Sequence, residues 1–359
     1  MKSEYQHFID LNDYPVQWWL NVLELGEKIK NNPSDFAHEC DGKIMATLFY
    51  EPSTRTQMSF QTAMIRLGGQ IIGFDNPANS SVSKGETIKD TTKIVSNYAD
   101  ILVIRHPVAG AAKAASLSAD CSVINAGDGG HLHPTQTLTD LLTLKTEKKR
   151  LDNLTIGMCG DLLNGRTVHS LCKALSMFNN RFIFISTKHL SMPAYIKDII
   201  KANGSSYEEV NTLEEAMDKL DVLYMTRIQQ ERFSSEEEYL AEKDTYVLDK
   251  QKMKLAKKDM IVMHPLPRVD EISVEVDDDS RAMYFRQAKY GVFVRMALIM
   301  TMLGEKKESV TLKGKTFGKI NCSNPNCITN HETHLPKSFI PCGDETLIEC
   351  EYCDERKLI

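Results

Sequence analysis

The residues best suited to chemistry are arginines at unusual places. Arg55, Arg105, Arg166, Arg227 and Arg268 each stand just beyond an apolar run of strand length, and Lys84 lies in the polar loop NSSVSKGET. Such groups hold carboxylates and phosphates, arginine through a planar fork of donors. In a chain of formal charge -6, cations gathered this way suit small polyanions, which offset their mutual repulsion. Any one of these arginines reads equally well as a structural ion pair; their shared placement favours the ligand. The stretch FYEPSTRTQMSF, Phe49 to Phe60, reads as a strand, a polar turn and a helix start. Ser53 suits the N-cap there, and hydroxyls of Ser53, Thr54 and Thr56 join free backbone N–H groups and Arg55 in a site made for phosphate. His133 and Gln136 sit in HLHPTQ. A histidine there can be a structural donor, or a neutral imidazole kept so by neighbouring cations and able to polarise a carbonyl oxygen. In H-P-L-P, residues 264 to 267, two prolines hold backbone carbonyls rigidly, with a cis bond an open option, where they could accept from an amine. Nucleotide cofactors fit poorly, since GMCGDLLNG lacks the dinucleotide glycine spacing and no G-x-x-x-x-G-K-[ST] loop occurs.

These groups need elements to carry them. Apolar strand-like runs alternate with helical patterns from an N-terminal helix near Trp18 to Ile29 as far as about Met302. KIMATLFY leads to EPSTRT, DILVI to RHP, SVINAG to DGGHLHPTQ, LTIGMC to GDLLNGR, DVLYM to TRIQ and MIVM to HPLPR. Ligands bind beyond the carboxyl ends of parallel strands, so these motifs are expected to line one cleft. The fold class is α/β: two doubly wound parallel-sheet domains plus a small C-terminal zinc-binding domain. The expected division is 1–135 with a returning helix 286–305, then 136–285, a charged linker 306–316, and 317–359.

Five of nine cysteines fall in the last 38 residues. Cys322-x4-Cys327-x22-Cys350-x2-Cys353 has the spacing of a closed four-cysteine zinc site, with Cys342 to spare. Cys40, Cys121, Cys159 and Cys172 stand singly among apolar neighbours and read as buried small hydrophobes. Neither a signal peptide nor a membrane-length apolar run is evident, so the expectation is a cytoplasmic protein with no disulfides and no membrane partner. The acidic balance disfavours a nucleic-acid partner.

Through STRT, SKGET, RHP, HPTQT, GDxxxGRTVHS, YMTRIQ and HPLPRVDEI, residues 1 to about 305 resemble the catalytic chain of the aspartate carbamoyltransferase family. The resemblance implies transfer of the carbamoyl group of carbamoyl phosphate to L-aspartate, a step of pyrimidine biosynthesis, with no cofactor in the catalytic site. It implies that Ser53, Thr54, Arg55 and Thr56 hold the phosphate, and that Arg105, His133 and Gln136, with Thr56, hold the carbamoyl end. Arg166, Arg227 and Gln229 would take the aspartate carboxylates, and Leu266 and Pro267 would present carbonyls. Ser80 and Lys84 would reach a neighbouring subunit's site in a homotrimer, with pairing of trimers left open. Glu51 matches an interdomain clasp that closes on Arg166 and Arg232. The tail, through CSNPNC, Phe339 and ECEYC, resembles the zinc domain of that family's separate regulatory chain, without the nucleotide-binding domain that precedes it there. Leu163-Asn164 replaces a Lys-Tyr pair of the allosterically controlled members, so nucleotide control is not expected. An ornithine carbamoyltransferase is the nearest rival. Arg227 and Arg268 suit a dicarboxylate better than a cationic side chain, and the rival family carries a cysteine at the place of Pro265. A catalytically silent assembly subunit, or a zinc ribbon that binds nucleic acid, is the alternative of another class.

Overall fold

A computed structural model describes residues 7–228, 235, 237, 239, 246–304, 312–318, 320–342 and 346–359. The chain divides into two compact units, one of residues 1–135 with 292–359 and the other of residues 136–291. The first unit is built on a parallel sheet of order β2-β1-β3-β4: β1 Ile44–Phe49, β2 Gln70–Phe74, β3 Ile101–His106 and β4 Ser122–Asp128. β4 is buried throughout, and β1 and β3 over most of their length, the pattern of strands covered on both faces. Helix α1, Val16–Asn31, precedes β1, helices α3, Ile88–Ser96, and α4, Ala111–Ser116, follow β2 and β3, and between β1 and β2 lies α2, Thr54–Arg66, which buries Thr56, Phe60, Ala63 and Met64 on one stripe. It ends where Gly68 takes φ 87°, with Gly68 N–H bonded to Ile65 O and Gly69 N–H to Met64 O, the paired closure that a left-handed residue allows.

The second unit carries a parallel sheet of order β7-β6-β5-β8-β9, with β5 Thr155–Cys159, β6 Arg181–Ile185, β7 Ser206–Val210, β8 Val222–Met225 and β9 Ile261–Met263. All six motif-bearing strands are present, and each motif lies at or just beyond the carboxyl end of its strand. In both sheets the chain winds outward one way, then restarts on the other side of its first strand. The reversal falls between β1 and β3 in one unit and between β5 and β8 in the other. Crevices form at such reversals. Their carboxyl ends carry Arg55 and Arg105 in the first unit, Arg166 and Arg227 in the second. At the second, Gly160 has φ 114°, and a Cβ there would lie 2.3 Å from the Thr226 carbonyl oxygen, so only glycine permits the approach.

The tail adds an antiparallel sheet of β10 Phe339–Pro341, β11 Leu347–Cys350 and β12 Arg356–Leu358. It belongs to the first unit, where Cys327, Ile328, Phe339, Ile348 and Tyr352 share one apolar core with Leu48, Ile104, Ala111, Ala112, Ala114 and Ala115. No helix among the described residues is long and apolar enough to cross a membrane.

Candidate functional site

In the first unit Ser53 occupies the N-cap of α2, but its hydroxyl makes no capping bond. The first-turn N–H groups and the hydroxyl therefore remain available to an anion at the positive helix end. Arg55 lies exposed and Thr56 is buried in that first turn. Arg105 ends β3, donating from Nη1 to Ala126 O at 3.2 Å and pairing through Nη2 with Glu51 Oε1 at 2.7 Å. Burial, then the Arg55 charge, works against its guanidinium, and Glu51 offsets them in part, leaving its pKa below the ordinary value. Arg105 Nε is buried with no partner among the described residues. A buried guanidinium donor to spare beside a second guanidinium suits an oxyanion.

His133 is buried just beyond β4, in a loop fixed by Asp128. Asp128 Oδ1 accepts from Leu132 N–H at 3.0 Å and Asn125 Nδ2 at 3.3 Å, and its Oδ2 accepts from Gly110 N–H at 2.8 Å and contacts His131 Nδ1 at 3.1 Å. His131 Nε2 lies 3.1 Å from Asp354 Oδ2, an ion pair whose direction is poor for a hydrogen bond. Ser80 caps a short 3-10 helix, Ser81–Lys84, and Lys84 at its end is exposed.

The second unit holds the other candidates. Arg166 opens α6, Arg166–Ser176, and Arg227 follows β8, both half-buried. Gln229 and Arg232 lie outside the described residues. Gln136, in the first turn of α5, Pro134–Lys148, donates from Nε2 to Asp140 Oδ1 at 2.8 Å. After β9, the Leu266–Pro267 bond is cis and Leu266 has φ 56°. His264 organises this loop: its Nδ1 accepts from Leu266 N–H at 2.7 Å, so the ring proton sits on Nε2 and bonds Glu271 Oε1 at 2.7 Å. Burial pushes the Glu271 carboxyl up, but the bonds from His264 and Val269 N–H outweigh it, and its pKa falls below the usual range.

Arg268 departs from its strand-end fellows. Both of its terminal nitrogens bond Asp277, Nη2 at 2.6 Å to Oδ2, and Tyr284 Oη bonds the same carboxylate. That bidentate pair makes Arg268 a structural anchor, its terminal nitrogens spent on Asp277 rather than offered to a dicarboxylate as the sequence led one to expect. Glu51, read from the sequence as a clasp, pairs with Arg105 inside its own unit. Sequence reasoning also missed Asp128 and Asp140. The second was findable, because an aspartate amid the apolar run TLTDLLTL is an expensive choice unless several donors meet it.

Cys322, Cys327, Cys350 and Cys353 are all buried, with sulfurs within 4.8 Å of one another. Cys322 and Cys353 Sγ are 3.5 Å apart and Cys327 and Cys350 Sγ 3.8 Å, close to the ~3.8 Å edge of a tetrahedron with ~2.3 Å metal–sulfur bonds. Four buried thiols at that spacing fit a metal ion. The module is bound to the loops after β3 and β4. Ala109 N–H donates to Asn326 O at 3.0 Å, Ile328 N–H to Ala109 O at 2.9 Å, and Asn326 Nδ2 to Pro107 O at 3.0 Å. At Gly110, φ 82°, a Cβ would lie 2.6 Å from Tyr352.

Family models match in three stretches: "Aspartate/ornithine carbamoyltransferase, carbamoyl-P binding domain" over residues 6–146, the "Asp/Orn binding domain" of the same family over 152–302, and "Aspartate carbamoyltransferase regulatory chain, metal binding domain" over 315–357. The aspartate carbamoyltransferase catalytic subunit of Clostridium perfringens (strain SM101) is 57% identical over 302 residues, 84% of this chain and 98% of the relative. Among solved structures, the catalytic subunit of M. jannaschii aspartate transcarbamoylase aligns with a TM-score of 0.79 at 45% identity, covering 83% of this chain and 98% of that one. The Trypanosoma cruzi enzyme in complex with carbamoyl phosphate and aspartate aligns with a TM-score of 0.77 at 39% identity, covering 82% and 96%.

Proposed function

This chain belongs to the aspartate/ornithine carbamoyltransferase family, and from that premise we propose how its residues carry out the reaction of an aspartate carbamoyltransferase. Carbamoyl phosphate and L-aspartate give N-carbamoyl-L-aspartate and phosphate. The observation that carries the assignment of roles is the buried, unpartnered Nε of Arg105 beside the uncapped start of α2. Ser53, Thr54, Arg55 and Thr56 take the phosphate; Arg105, His133 and Gln136 take the carbamoyl group. Arg166, Arg227 and Gln229 take the aspartate carboxylates, and Leu266 and Pro267 offer carbonyls to the carbamoyl NH₂. Two anions repel each other in water, and cationic groups held in place both neutralise and align them, which is worth several kcal/mol. The aspartate nitrogen, unprotonated, attacks the carbamoyl carbon. The oxyanion so formed meets Thr56, Arg105 and His133. The carbon–oxygen bond to phosphate then breaks, and the departing phosphate takes the amine proton, since no side chain of the set is an evident base.

In the same reading Glu51 exchanges Arg105 for Arg166 and Arg232 on closure, and Ser80 and Lys84 serve a neighbouring copy in a cytoplasmic homotrimer. The four cysteines hold one structural zinc, which would tie the knuckles of the tail together. Measuring carbamoyl-aspartate formation, with ornithine as control acceptor, tests the reading. Aspartate-dependent product that Arg55→Ala reduces at least ~10²-fold supports it. Ornithine turnover, or near-normal activity in Arg55→Ala, overturns it.

A further inference from the structure

Asp140 lies in the middle of α5 and is fully buried. Its Oδ1 receives Gln136 Nε2 at 2.8 Å and Gln287 Nε2 at 2.7 Å, and its Oδ2 receives Tyr224 Oη–H at 2.9 Å. Gln287 Oε1 in turn accepts from His264 N–H at 3.0 Å, and His264 Nδ1 holds Leu266 N–H. All of these residues lie in the second unit.

An ionised carboxylate only accepts, so both glutamine amides must turn their NH₂ groups towards it. Each amide oxygen is thereby sent the other way. Gln136 is left offering an acceptor, and Gln287 accepts from the backbone at the head of the loop that carries the Leu266 and Pro267 carbonyls. We infer that Asp140 is a positioning residue: it turns the Gln136 amide oxygen outward as an acceptor for the NH₂ end of carbamoyl phosphate and, through Gln287 and His264, anchors the 264–267 loop whose carbonyls accept from the same group. The inference rests on the proposed function. It assigns Asp140 no contact with substrate.

Asp140→Asn tests polarity at nearly constant shape. The asparagine has one oxygen and one NH₂. Tyr224, buried with its phenol pKa raised first by burial and then by Asp140, keeps its proton and draws the oxygen to its own side. The NH₂ then faces two glutamines, which must flip. On the intact protein, carbamoyl phosphate affinity should fall ~10–100-fold, the scale of one or two misdirected hydrogen bonds, while inorganic phosphate, which lacks the amine, binds as before. Tyr224→Phe alone should lower stability and leave carbamoyl phosphate affinity intact. Combined with Asp140→Asn, it frees the asparagine to turn its oxygen back, so the double variant should recover affinity over the single. A merely structural role predicts the opposite, with the double variant worse and both ligands weakened together. That outcome, or wild-type affinity in Asp140→Asn, overturns the inference. Should Asp140→Asn not fold, Gln287→Met breaks the same link from its far side, and unchanged carbamoyl phosphate affinity there overturns the inference. Failure of the wild-type protein to bind carbamoyl phosphate would instead overturn the proposed function.

Discussion

Raising the pH should loosen the first unit through His131. Burial opposes the charged imidazolium, yet Asp128 and Asp354 outweigh it and hold the His131 pKa up at about 10, against an ordinary 6.5. A folded-state pKa above the unfolded one means that the stabilisation is fully present below pH 6.5 and drains away as pH climbs towards 10. Each pH unit inside that window is worth at most ~1.4 kcal/mol, so the step from pH 7 to pH 9 removes no more than ~3 kcal/mol. His131 is only 12% exposed, but the Asp354 side chain is 48% exposed, and screening of that partner reduces the figure to ~1–2 kcal/mol. For a unit of this size that corresponds to ~2–8 °C in Tm. The assay is thermal melting of wild type and His131→Asn, metal-loaded, at half-unit steps from pH 6.5 to 10. Wild type should melt higher at pH 6.5, and the gap should close towards pH 10. Thiolate and metal equilibria are common to both proteins and cancel in the difference. A gap that stays constant or widens with pH would refute the reasoning.

Arg227→Ala should raise the KM for aspartate and leave carbamoyl phosphate binding near wild type; the reverse pattern, by titration of each ligand, would show the carboxylate assignment to be wrong. Cys350→Ser should lose the metal by elemental analysis and lower Tm, because folding energy comes from the bound ion; undiminished metal content would contradict the four-cysteine site. Arg55→Ala and Lys84→Ala homo-oligomers should each be nearly inactive. Dissociated, mixed equally and reassembled at random, they should regain roughly a quarter of wild-type sites if each site of a closed ring borrows its lysine from the next copy. A mixture that forms hybrids yet stays inactive would place Lys84 in its own chain's site.

The strands that carry chemistry were legible because β1, β3, β4, β5, β8 and β9 are apolar runs that stop abruptly at polar motifs. β2 and β7 were not, since each lies at a sheet edge and is largely exposed or half-buried, which leaves no continuous apolar signal. Side chains at strand ends could be named from local order alone, as with Ser53 and Arg105. Hubs could not. Asp140 gains its meaning from Tyr224 and Gln287, 84 and 147 residues away, and no local pattern encodes such meetings. Arg268 misled for the same reason, its partner Asp277 lying beyond a turn of irregular chain. The cysteine spacing announced a metal knot, but AAKAAS gave no sign of what covers it. In the structure Glu351 comes within 3.7 Å of Lys113 there.

Continuity of chain between Gly304 and Leu312 turns an association into an internal contact. The Clostridium perfringens catalytic subunit is covered to 98% by 84% of this chain, and residues 315–357 match a domain described from a regulatory chain. Two separate proteins would meet as their concentrations allow. Here covalent linkage within one chain makes that encounter intramolecular, at an effective concentration that dilution outside does not change. Each catalytic region therefore carries one module, in a ratio fixed by translation, and the contact of Asn326 with Pro107 survives dilution that would part a bimolecular pair.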